Sequence, residues 1–406
     1  MDALLEFHGF LGQRVLLGVC GSIAAYKSLE LLRLLRATGA EVAVTLTEAA
    51  MKFVTPLSFQ SLGASPVFSA LFSPEADSYS HLYAGRNAQA MAIVPATANT
   101  LAKISHGLAD DMLSNQALSY PHPLIIAPAM NPAMWQAPAT QANIRALSER
   151  GHVLIAPAIG EVACGDSGQG RLADLSTIYY HVLRALSPQD LAGRRVLLTL
   201  GPTREFWDGV RFLSNPSSGR MGGSLALAAW LRGAEVFAVH GPLTISLPEL
   251  PGLNLTRVIS AVDMLQTCQS LWDTCDVCCF AAAVADFAPE PLGPAKLKKQ
   301  SVEPEFFLRL HPNPDIMKAF CATKRTNQLA IGFAAETEAL AKHAQEKLRS
   351  KGADLIVGNL VNRPDSGFET ATNSVLLTDK HGREESLPVL AKSEIAWRIL
   401  DWLPLL

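Results

Sequence analysis

Three short polar segments in the first half of the sequence carry groups that could bind an anionic ligand. Gly21-Ser22-Ile23 places a hydroxyl at the start of a helical stretch, beside a glycine that lets the backbone approach a phosphate. Residues 95–100 and 128–135 each follow a short apolar run and add further hydroxyl and amide groups. The GxGxxG pattern of dinucleotide sites is absent, and the second strand ends in Thr47 rather than in a ribose-binding acid. The segments therefore favour a mononucleotide over NAD.

A histidine and a cysteine in the same half are candidate functional residues. His81 is the first candidate, although a lone histidine is more often structural than catalytic, and the competing His106 lies in a helix-like stretch. Cys164 lies among three glycines within residues 163–171. Such a segment is either a flap that closes over a ligand or an ordinary glycine-rich loop.

The second half contains a longer series of polar loops. Residues 214–219 combine asparagine, serines and glycine ahead of a helical stretch, which is the composition of an anion-binding nest. The P-loop pattern GxxxxGK[ST] is absent. Residues 296–299 form the only dense basic cluster, between Asp286 and the polar loop 313–317. A basic run is usually a solvated face, but between two polar loops it more plausibly contacts phosphates.

Loops of this kind need a parallel sheet to position them, and the sequence repeats the opening of one. A strand at Val15 is followed by a glycine turn, a leucine-rich helical stretch and a second strand at Val42, and the same order recurs from Val196 to Val236. This is the βαβ unit of a doubly wound sheet. The sequence predicts an α/β protein of two domains, residues 1–190 and 191–406. Each domain is expected to be Rossmann-like or flavodoxin-like, with a mostly parallel sheet.

Composition and charge narrow the class of protein. Of the 406 residues, 49% are hydrophobic and 17% are charged, which excludes a disordered chain. A net charge of -3 gives no field that would recruit nucleic acid, and no apolar run reaches the ~20 residues of a membrane helix. Seven cysteines without scaffold spacing, and a first segment without the basic residues of a signal peptide, favour the cytoplasm. We expect a small-molecule enzyme with neither nucleic-acid nor membrane partners.

Residues 12–180 resemble the homo-oligomeric flavin-containing cysteine decarboxylases. The likeness rests on the segment from Gly21 to Lys27, on Pro-Ala-Met-Asn-Pro-Ala-Met at 128–134, and on the flap around Cys164. The resemblance implies that Asn131 and Met134 contact the substrate, with Asn131 binding its carboxylate. It also implies that His81 belongs to the active site and that Cys164 donates a proton. The residues implied to bind FMN are Gly21, Ser22, Ile23, Thr47, Thr97, Asn99, Thr100, Ala129 and Met130.

The chemistry of that family explains why a flavin is needed. A C-terminal cysteine carboxylate has no electron sink, so direct loss of CO2 would leave an unstabilised carbanion. If the flavin first accepts a hydride from the cysteine Cβ, the thiol becomes a thioaldehyde that can accept the electrons and form an enethiolate. Reduced flavin then returns the hydride, and an acid such as Cys164 supplies the proton. The redox change is internal and consumes no external oxidant.

Residues 191–400 resemble the phosphopantothenoylcysteine synthetases, the cysteine ligases of coenzyme A biosynthesis. Bacterial members use CTP: the substrate carboxylate attacks the α-phosphate, pyrophosphate leaves, and the cysteine amine attacks the acyl-cytidylate. The resemblance implies that Asn215 stabilises the acyl-nucleotide, Lys296 neutralises phosphate charge, and Arg211 contacts the substrate. The residues implied to bind CTP are Ala282, Asp286, Lys296, Pro314, Asp315, Ile316, Met317, Phe333, Lys347 and Lys351.

Two features of this second half leave open points. Mg2+ is expected with the triphosphate, but the sequence does not identify its ligands. Gly209 stands where family members commonly have proline, which is expected to loosen the loop while keeping Arg211.

Together the two resemblances imply a bifunctional chain that joins cysteine to 4'-phosphopantothenate and then decarboxylates the product to 4'-phosphopantetheine. They also imply trimers of the flavin domain and dimers of the ligase domain, which together could build a dodecamer. Two alternatives remain at this point. One is a non-catalytic relative of the phosphatase-inhibitor kind; the other is a flavin prenyltransferase or a peptidyl-cysteine decarboxylase. Retention of Cys164 and Asn131 disfavours the first, and residues 191–400 disfavour both.

Overall fold

A computed structural model describes residues 6–72, 79–163, 165–298, 306–336, 338–360 and 370–406. These residues form two compact units that divide between Ser187 and Pro188. The division lies three residues before the boundary expected from the sequence, between residues 190 and 191.

The N-terminal unit is built on a six-stranded sheet in which every pair of neighbouring strands is parallel. Its strands are β1 (Arg14–Val19), β2 (Glu41–Leu46), β3 (Val67–Phe68), β4 (Ala90–Ala96), β5 (Ile125–Pro128) and β6 (Val153–Leu154). The order is β3-β2-β1-β4-β5-β6. The central strands are buried along almost their whole length, which explains their continuous runs of valine, leucine and isoleucine.

Helices and one hairpin complete this unit. The helices are α1 (Lys27–Ala37), α2 (Pro56–Ser61), α3 (Tyr83–Asn87), α4 (Ala98–His106), α5 (Met112–Ser119), α6 (Pro132–Gln136), α7 (Pro138–Glu149) and α8 (Leu175–Leu186). An antiparallel hairpin of β7 (Ala158–Glu161) and β8 (Ser167–Arg171) flanks the predicted flap around residue 164.

The C-terminal unit has an eight-stranded sheet and four further short strands. The strands are β9 (Arg195–Leu200), β10 (Glu205–Phe206), β11 (Phe212–Leu213), β12 (Glu235–His240), β13 (Leu253–Arg257), β14 (Val277–Phe280), β15 (Phe287–Pro289), β16 (Leu310–Pro312), β17 (Leu329–Glu336), β18 (Leu355–Leu360), β19 (Thr372–Asp379) and β20 (Glu384–Ala391). The order of the large sheet is β13-β12-β9-β14-β17-β18-β19-β20, parallel up to β18 and antiparallel from there. The strands β10 with β11 and β15 with β16 form two small antiparallel ribbons.

The helices of the C-terminal unit cover both faces of its sheet. They are α9 (Arg220–Leu231), α10 (Ala261–Trp272), α11 (Ile316–Cys321), α12 (Leu340–Lys351) and α13 (Lys392–Asp401). Leu197 of β9 packs in one core cluster with side chains of α10, α11 and α12. Leu200 has the opposite parity on the same strand and lies against Gly222 of α9. The helix α9 in turn packs against α13, so α9 and α10–α12 lie on opposite faces.

The structure confirms the predicted fold class in both units. The two repeated βαβ openings are present, and their strands pair with Val15 opposite Val42 and Val196 opposite Val236. No helix in the described ranges is both long enough and apolar enough to span a membrane.

A buried carboxylate anchors the edge of the large sheet that lies opposite the carboxyl ends of its parallel strands. The side chain of Asp354 is 4% exposed and accepts hydrogen bonds from Lys324 Nζ (2.5 Å), Lys380 Nζ (2.8 Å) and the backbone of Ala330 (2.8 Å). Burial alone would raise the pKa of Asp354, but these donors outweigh it and hold the pKa below its usual value. The ionised carboxylate therefore stabilises the start of β18.

We expect Asp354→Asn to lower the free energy of unfolding at pH 7 by about 2 to 3 kcal/mol, because it breaks a buried pair whose lysines remain partly solvated. A lowered carboxyl pKa stabilises the fold above the ordinary pKa near 4, and that stabilisation is lost as the pH falls through the folded-state value. The difference between variant and wild type should therefore shrink below pH 4.

Denaturation followed by tryptophan fluorescence would measure this, since five of the six tryptophans lie after residue 188. The exposed Asp273→Asn is the matched control and should leave stability unchanged. A deficit for Asp354→Asn that persists undiminished at acidic pH would contradict the role of the charge.

Candidate active sites

In the N-terminal unit the strand order reverses between β1 and β4, and the loops after these strands border the resulting crevice. The two loops are joined directly. Thr100 Oγ1 donates to Cys20 Sγ (3.2 Å), and the Cys20 backbone N–H donates to the carbonyl of Pro95 (3.2 Å). Burial raises the pKa of the Cys20 thiol to about 11, so this cysteine is neutral and structural. The predicted FMN residues on both loops therefore lie at one edge of the sheet.

Hydroxyl groups begin the helical segments around this crevice. Ser22 accepts from the backbone N–H of Ala24 (3.3 Å), Thr97 from that of Thr100 (3.4 Å), and Thr47 from that of Ala50 (3.2 Å). Helix starts with hydroxyl caps are suited to bind anions, because their N–H groups point outward. Asn99 and Ile23 are exposed beside them, Ile23 to 59%. These hydroxyl and backbone N–H groups fit the phosphate and the polar ring edge of a flavin mononucleotide.

Asn131 joins the loop after β5 to the flap. Its Oδ1 accepts from the N–H of Ala133 (2.8 Å) and caps α6, while its Nδ2 donates to Asp166 Oδ2 (2.6 Å). The backbone of Met130 also donates to the carbonyl of Gly170 (3.0 Å), and a Cβ at Gly170 would lie 2.3 Å from the Met130 carbonyl oxygen. Glycine is therefore required for the flap to lie this close. Ala129 is buried beneath this contact.

The remaining predicted residues of this unit are placed differently. Met134 is half exposed on α6. His81 is half buried in a single helical turn, and its carbonyl accepts from Ser119 Oγ (3.4 Å). Cys164 lies outside the described residues, although both of its neighbours are described. His106 caps its own helix, with Nδ1 2.9 Å from the carbonyl of Ala102, which agrees with a scaffold position.

In the C-terminal unit a cavity of about 570 Å³ opens where β9, β14 and β17 end. The strand order of this sheet reverses between β9 and β14, as at the crevice of the other unit. Its lining includes Asn215 and most of the predicted CTP residues, which come from four separate segments. These are Ala282, Asp286, Pro314, Asp315, Ile316, Met317, Phe333, Lys347 and Lys351.

Hydrogen bonds fix the loops around this cavity. Asn215 Nδ2 donates to the carbonyl of Val284 (3.0 Å), and Asn313 Nδ2 donates to that of Ala285 (2.8 Å). Thr203 Oγ1 accepts from the N–H of Ala285 (3.0 Å). The loop after β14 is thereby held between the loop after β9 and the segment before α11.

The charged groups on the α12 side of the cavity interact with one another. Asp315 caps α11 through the N–H of Lys318 (2.9 Å) and forms an ion pair with Lys351. Burial would raise the pKa of Asp315, but Lys351 and this N–H lower it overall. Burial lowers the pKa of Lys347, and the nearby carboxylate of Glu336 opposes that shift. Two lysines and a carboxylate thus occupy this side of the cavity.

Lys296 and Arg211 do not line the cavity. Lys296 is exposed on the loop that leads to residues 299–305, which lie outside the described ranges. Arg211 Nη1 pairs with Asp208 Oδ2 (3.1 Å), and Asp208 also accepts from the N–H groups of Val210, Arg211 and Leu297. Although burial would raise the pKa of Asp208, these hydrogen bonds lower it. Asp208 therefore joins Arg211 and the backbone next to Lys296 in one loop cluster.

This cluster corrects the expectation that Gly209 loosens its loop. A Cβ at position 209 would lie 2.0 Å from the carbonyl oxygen of Pro294. Glycine is needed there because the backbone carrying Lys296 crosses directly over it. The loop is held by four donors to Asp208 rather than loosened.

Some cavity residues were missed by sequence reasoning. They come from the start of α9, the end of β18, the start of β19 and the start of α13, and are Arg220, Asn359, Asn373 and Lys392. Only the nest before α9 gave a signal, in its serines and glycine. Nothing in the sequence links Lys392 to a loop 170 residues earlier.

Four cysteines of the C-terminal unit are structural. Cys268, Cys275, Cys278 and Cys279 are buried, and burial raises the pKa of Cys279 to about 12. Across the described ranges, no group of three or more His, Cys, Asp or Glu side chains is arranged to hold a metal ion.

Comparison with known proteins shows two family matches and close relatives over nearly the whole chain. Residues 10–187 match the family described as Flavoprotein, and residues 191–405 match the DNA/pantothenate metabolism flavoprotein C-terminal domain. The chain is 39% identical over 393 residues to the coenzyme A biosynthesis bifunctional protein CoaBC of Escherichia coli (strain K12), covering 96% of both chains. It is 39% identical over 394 residues to the protein of the same name from Bacillus subtilis (strain 168), again covering 96% of both.

Among solved structures, the FMN-dependent cysteine decarboxylase SpaF is 33% identical, with a TM-score of 0.39, and the match covers 44% of this chain and 100% of that one. The full-length matches and the two family assignments confirm both resemblances expected from the sequence. The chain belongs to the family of bifunctional coenzyme A biosynthesis proteins, with a flavoprotein domain followed by a pantothenate-metabolism domain.

Proposed function

We propose that this chain catalyses two consecutive steps of coenzyme A biosynthesis. Residues 191–406 ligate cysteine to 4'-phosphopantothenate with CTP through an acyl-cytidylate, and residues 1–190 decarboxylate the product to 4'-phosphopantetheine with FMN. The observation that carries the proposal is the gathering of polar loops at the strand-order reversal of each sheet, in a chain that matches bifunctional relatives over 96% of its length.

The cavity of the C-terminal unit supports the ligase assignment. Its lysines Lys347 and Lys351 offer positive charge to phosphate groups, and Asp286 offers a carboxylate to a ribose hydroxyl. Asn215 lies at the junction of the two central loops, where its amide can stabilise a developing acyl-phosphate. Mg2+ enters this scheme bound to the triphosphate, since Mg2+ commonly uses substrate phosphates and few protein ligands.

The crevice of the N-terminal unit supports the decarboxylase assignment. When bound, FMN supplies a reversible hydride acceptor. The hydroxyl caps at Ser22, Thr47 and Thr97 would bind its phosphate and polar ring edge. Asn131 would bind the substrate carboxylate, and its amide now donates to Asp166, another carboxylate. We expect a substrate carboxylate to replace Asp166 as the acceptor of this amide when it binds.

The proposal includes a homo-oligomer in the cytoplasm, with trimers of the flavin domain, dimers of the ligase domain and a dodecamer overall. Its support is the exposure of large apolar side chains on each unit. Leu57 and Met134 are exposed on the first unit, and Val210 and Phe287 on the second. The described cysteines are all free thiols, which suits a reducing compartment.

Asn131→Asp separates carboxylate binding from helix capping. The aspartate can still accept from the Ala133 N–H, but it loses the Nδ2 donor and repels both Asp166 and a substrate carboxylate. We expect decarboxylation of supplied substrate to fall by about 100-fold or more, mainly through KM, with flavin binding and ligation unchanged. Asn143→Asp, the same change on α7, is the control. Equal kcat/KM for Asn131→Asp and wild type would contradict the assignment of Asn131.

Cys164→Ala tests the proposed proton donor. The variant should still let substrate bleach the yellow flavin absorbance, because oxidation of the substrate's cysteine moiety by the flavin does not need the Cys164 thiol. It should then accumulate little aminothiol product, because the acid that protonates the enethiolate is gone. Stopped-flow absorbance combined with product analysis measures both events. Cys321→Ala in the other unit is the control, and normal product formation by Cys164→Ala would refute the role.

Lys296→Gln tests the proposed charge neutralisation at the ligase site. Loss of the ammonium should slow pyrophosphate release by roughly 10-fold or more, because negative charge develops on the leaving group. Decarboxylation of supplied substrate should not change. Lys298→Gln removes a charge from the same exposed loop and distinguishes a direct contact from a general field effect. Pyrophosphate release at the wild-type rate would exclude Lys296 from the chemistry.

A further inference from the structure

The ligase cavity has positive side chains on both of its sides, and only one side was expected from the sequence. Lys347 and Lys351 come from α12, which packs on the same sheet face as α10 and α11. Arg220 begins α9 and Lys392 begins α13, and these two helices pack together on the opposite face. The cavity therefore has a second cationic side, formed by Arg220 and Lys392.

The Lys392 side chain is held in an environment that disfavours its charge. The residue is only 5% exposed, although it lines the cavity. The pKa of the Lys392 amino group is lowered to about 8, mainly by burial and to a smaller extent by the positive charge of Arg220. The two cations repel each other at the wall of the cavity, and an anionic ligand bound beside them would offset that repulsion.

The backbone beside this pair is also arranged for an anion. Ser217 Oγ accepts from the N–H of Gly219 (3.3 Å) and Ser218 Oγ from that of Arg220 (3.3 Å), which tightens the turn before α9. Gly219 adopts a left-handed conformation with φ of 80°. At Gly222, a Cβ would lie 2.3 Å from that of Leu200, so glycine lets the start of α9 lie close to the end of β9. The twelve-residue α9 thus directs its N-terminus at the cavity.

We propose that Arg220 and Lys392 form a phosphate subsite of the ligase cavity. This inference rests on the proposed function, which brings two phosphorylated substrates into one cavity. The ligand group is a phosphate, supplied either by the triphosphate of CTP or by the phosphomonoester of 4'-phosphopantothenate. Lys392 contributes a point charge, and Arg220 contributes a fork of donors.

The test measures binding to the full-length flavin-loaded protein by titration calorimetry, separately with CTP and with 4'-phosphopantothenate. Lys392→Gln should weaken the binding of one of them by roughly 10- to 100-fold, as expected for a lost charge-assisted hydrogen bond. Lys392→Arg should restore most of the affinity. Lys318→Gln, an exposed lysine on α11 outside the cavity, should bind like wild type. Arg220→Gln provides a second variant if Lys392→Gln does not fold.

Each outcome decides the proposal. Loss confined to CTP assigns the subsite to the nucleotide phosphates, and loss confined to 4'-phosphopantothenate assigns it to the acid substrate. Wild-type affinity of Lys392→Gln and Arg220→Gln for both ligands would overturn the subsite while leaving the proposed function intact. A wild-type protein that binds neither ligand would contradict the proposed function itself, and the subsite with it.

Discussion

Reversal of the strand order beside the first strand of each sheet is the constraint on which both candidate sites depend. Parallel strands require crossover helices, and where successive crossovers run to opposite faces, the loops at the carboxyl edge diverge and leave a crevice. In the first unit this places the loops after β1 and β4 side by side, and in the second it does the same for β9 and β14. Gly21 lets the loop after β1 lie against Ala49 in the loop after β2, and Gly222 lets α9 lie against the end of β9.

The two units use the crevice in different ways. The first surrounds it with hydroxyl caps and the amide of Asn131, which suits a cofactor held by many weak donors. The second concentrates lysines and carboxylates from helices on both faces of the sheet. Lysine and arginine side chains are long enough to reach one ligand from helices on either face of the sheet. This difference follows the chemistry proposed for each unit. A flavin must be held in one orientation, whereas a triphosphate must have its negative charge balanced.

Much of the fold was predictable because it depends on local patterns. Buried strand runs and glycine turns predicted both βαβ openings, and the structure added their register, with Val15 opposite Val42 and Val196 opposite Val236. The polar loops were also found, because each follows a strand directly. Lys296 was expected among the CTP residues but lies exposed outside the cavity lining, and the packing role of Gly209 against Pro294 was not foreseen.

The sequence by itself determined the fold class, the two-part organisation, the family and most of the loops at the two crevices, since these depend on residue spacing along continuous segments. Only the tertiary structure decided which distant groups share a cavity. Lys392 begins a helix near the end of the chain, and it meets Arg220 because α13 packs against α9. The low pKa of Lys392 likewise has no counterpart in the sequence, because burial and neighbouring charge exist only in the folded protein.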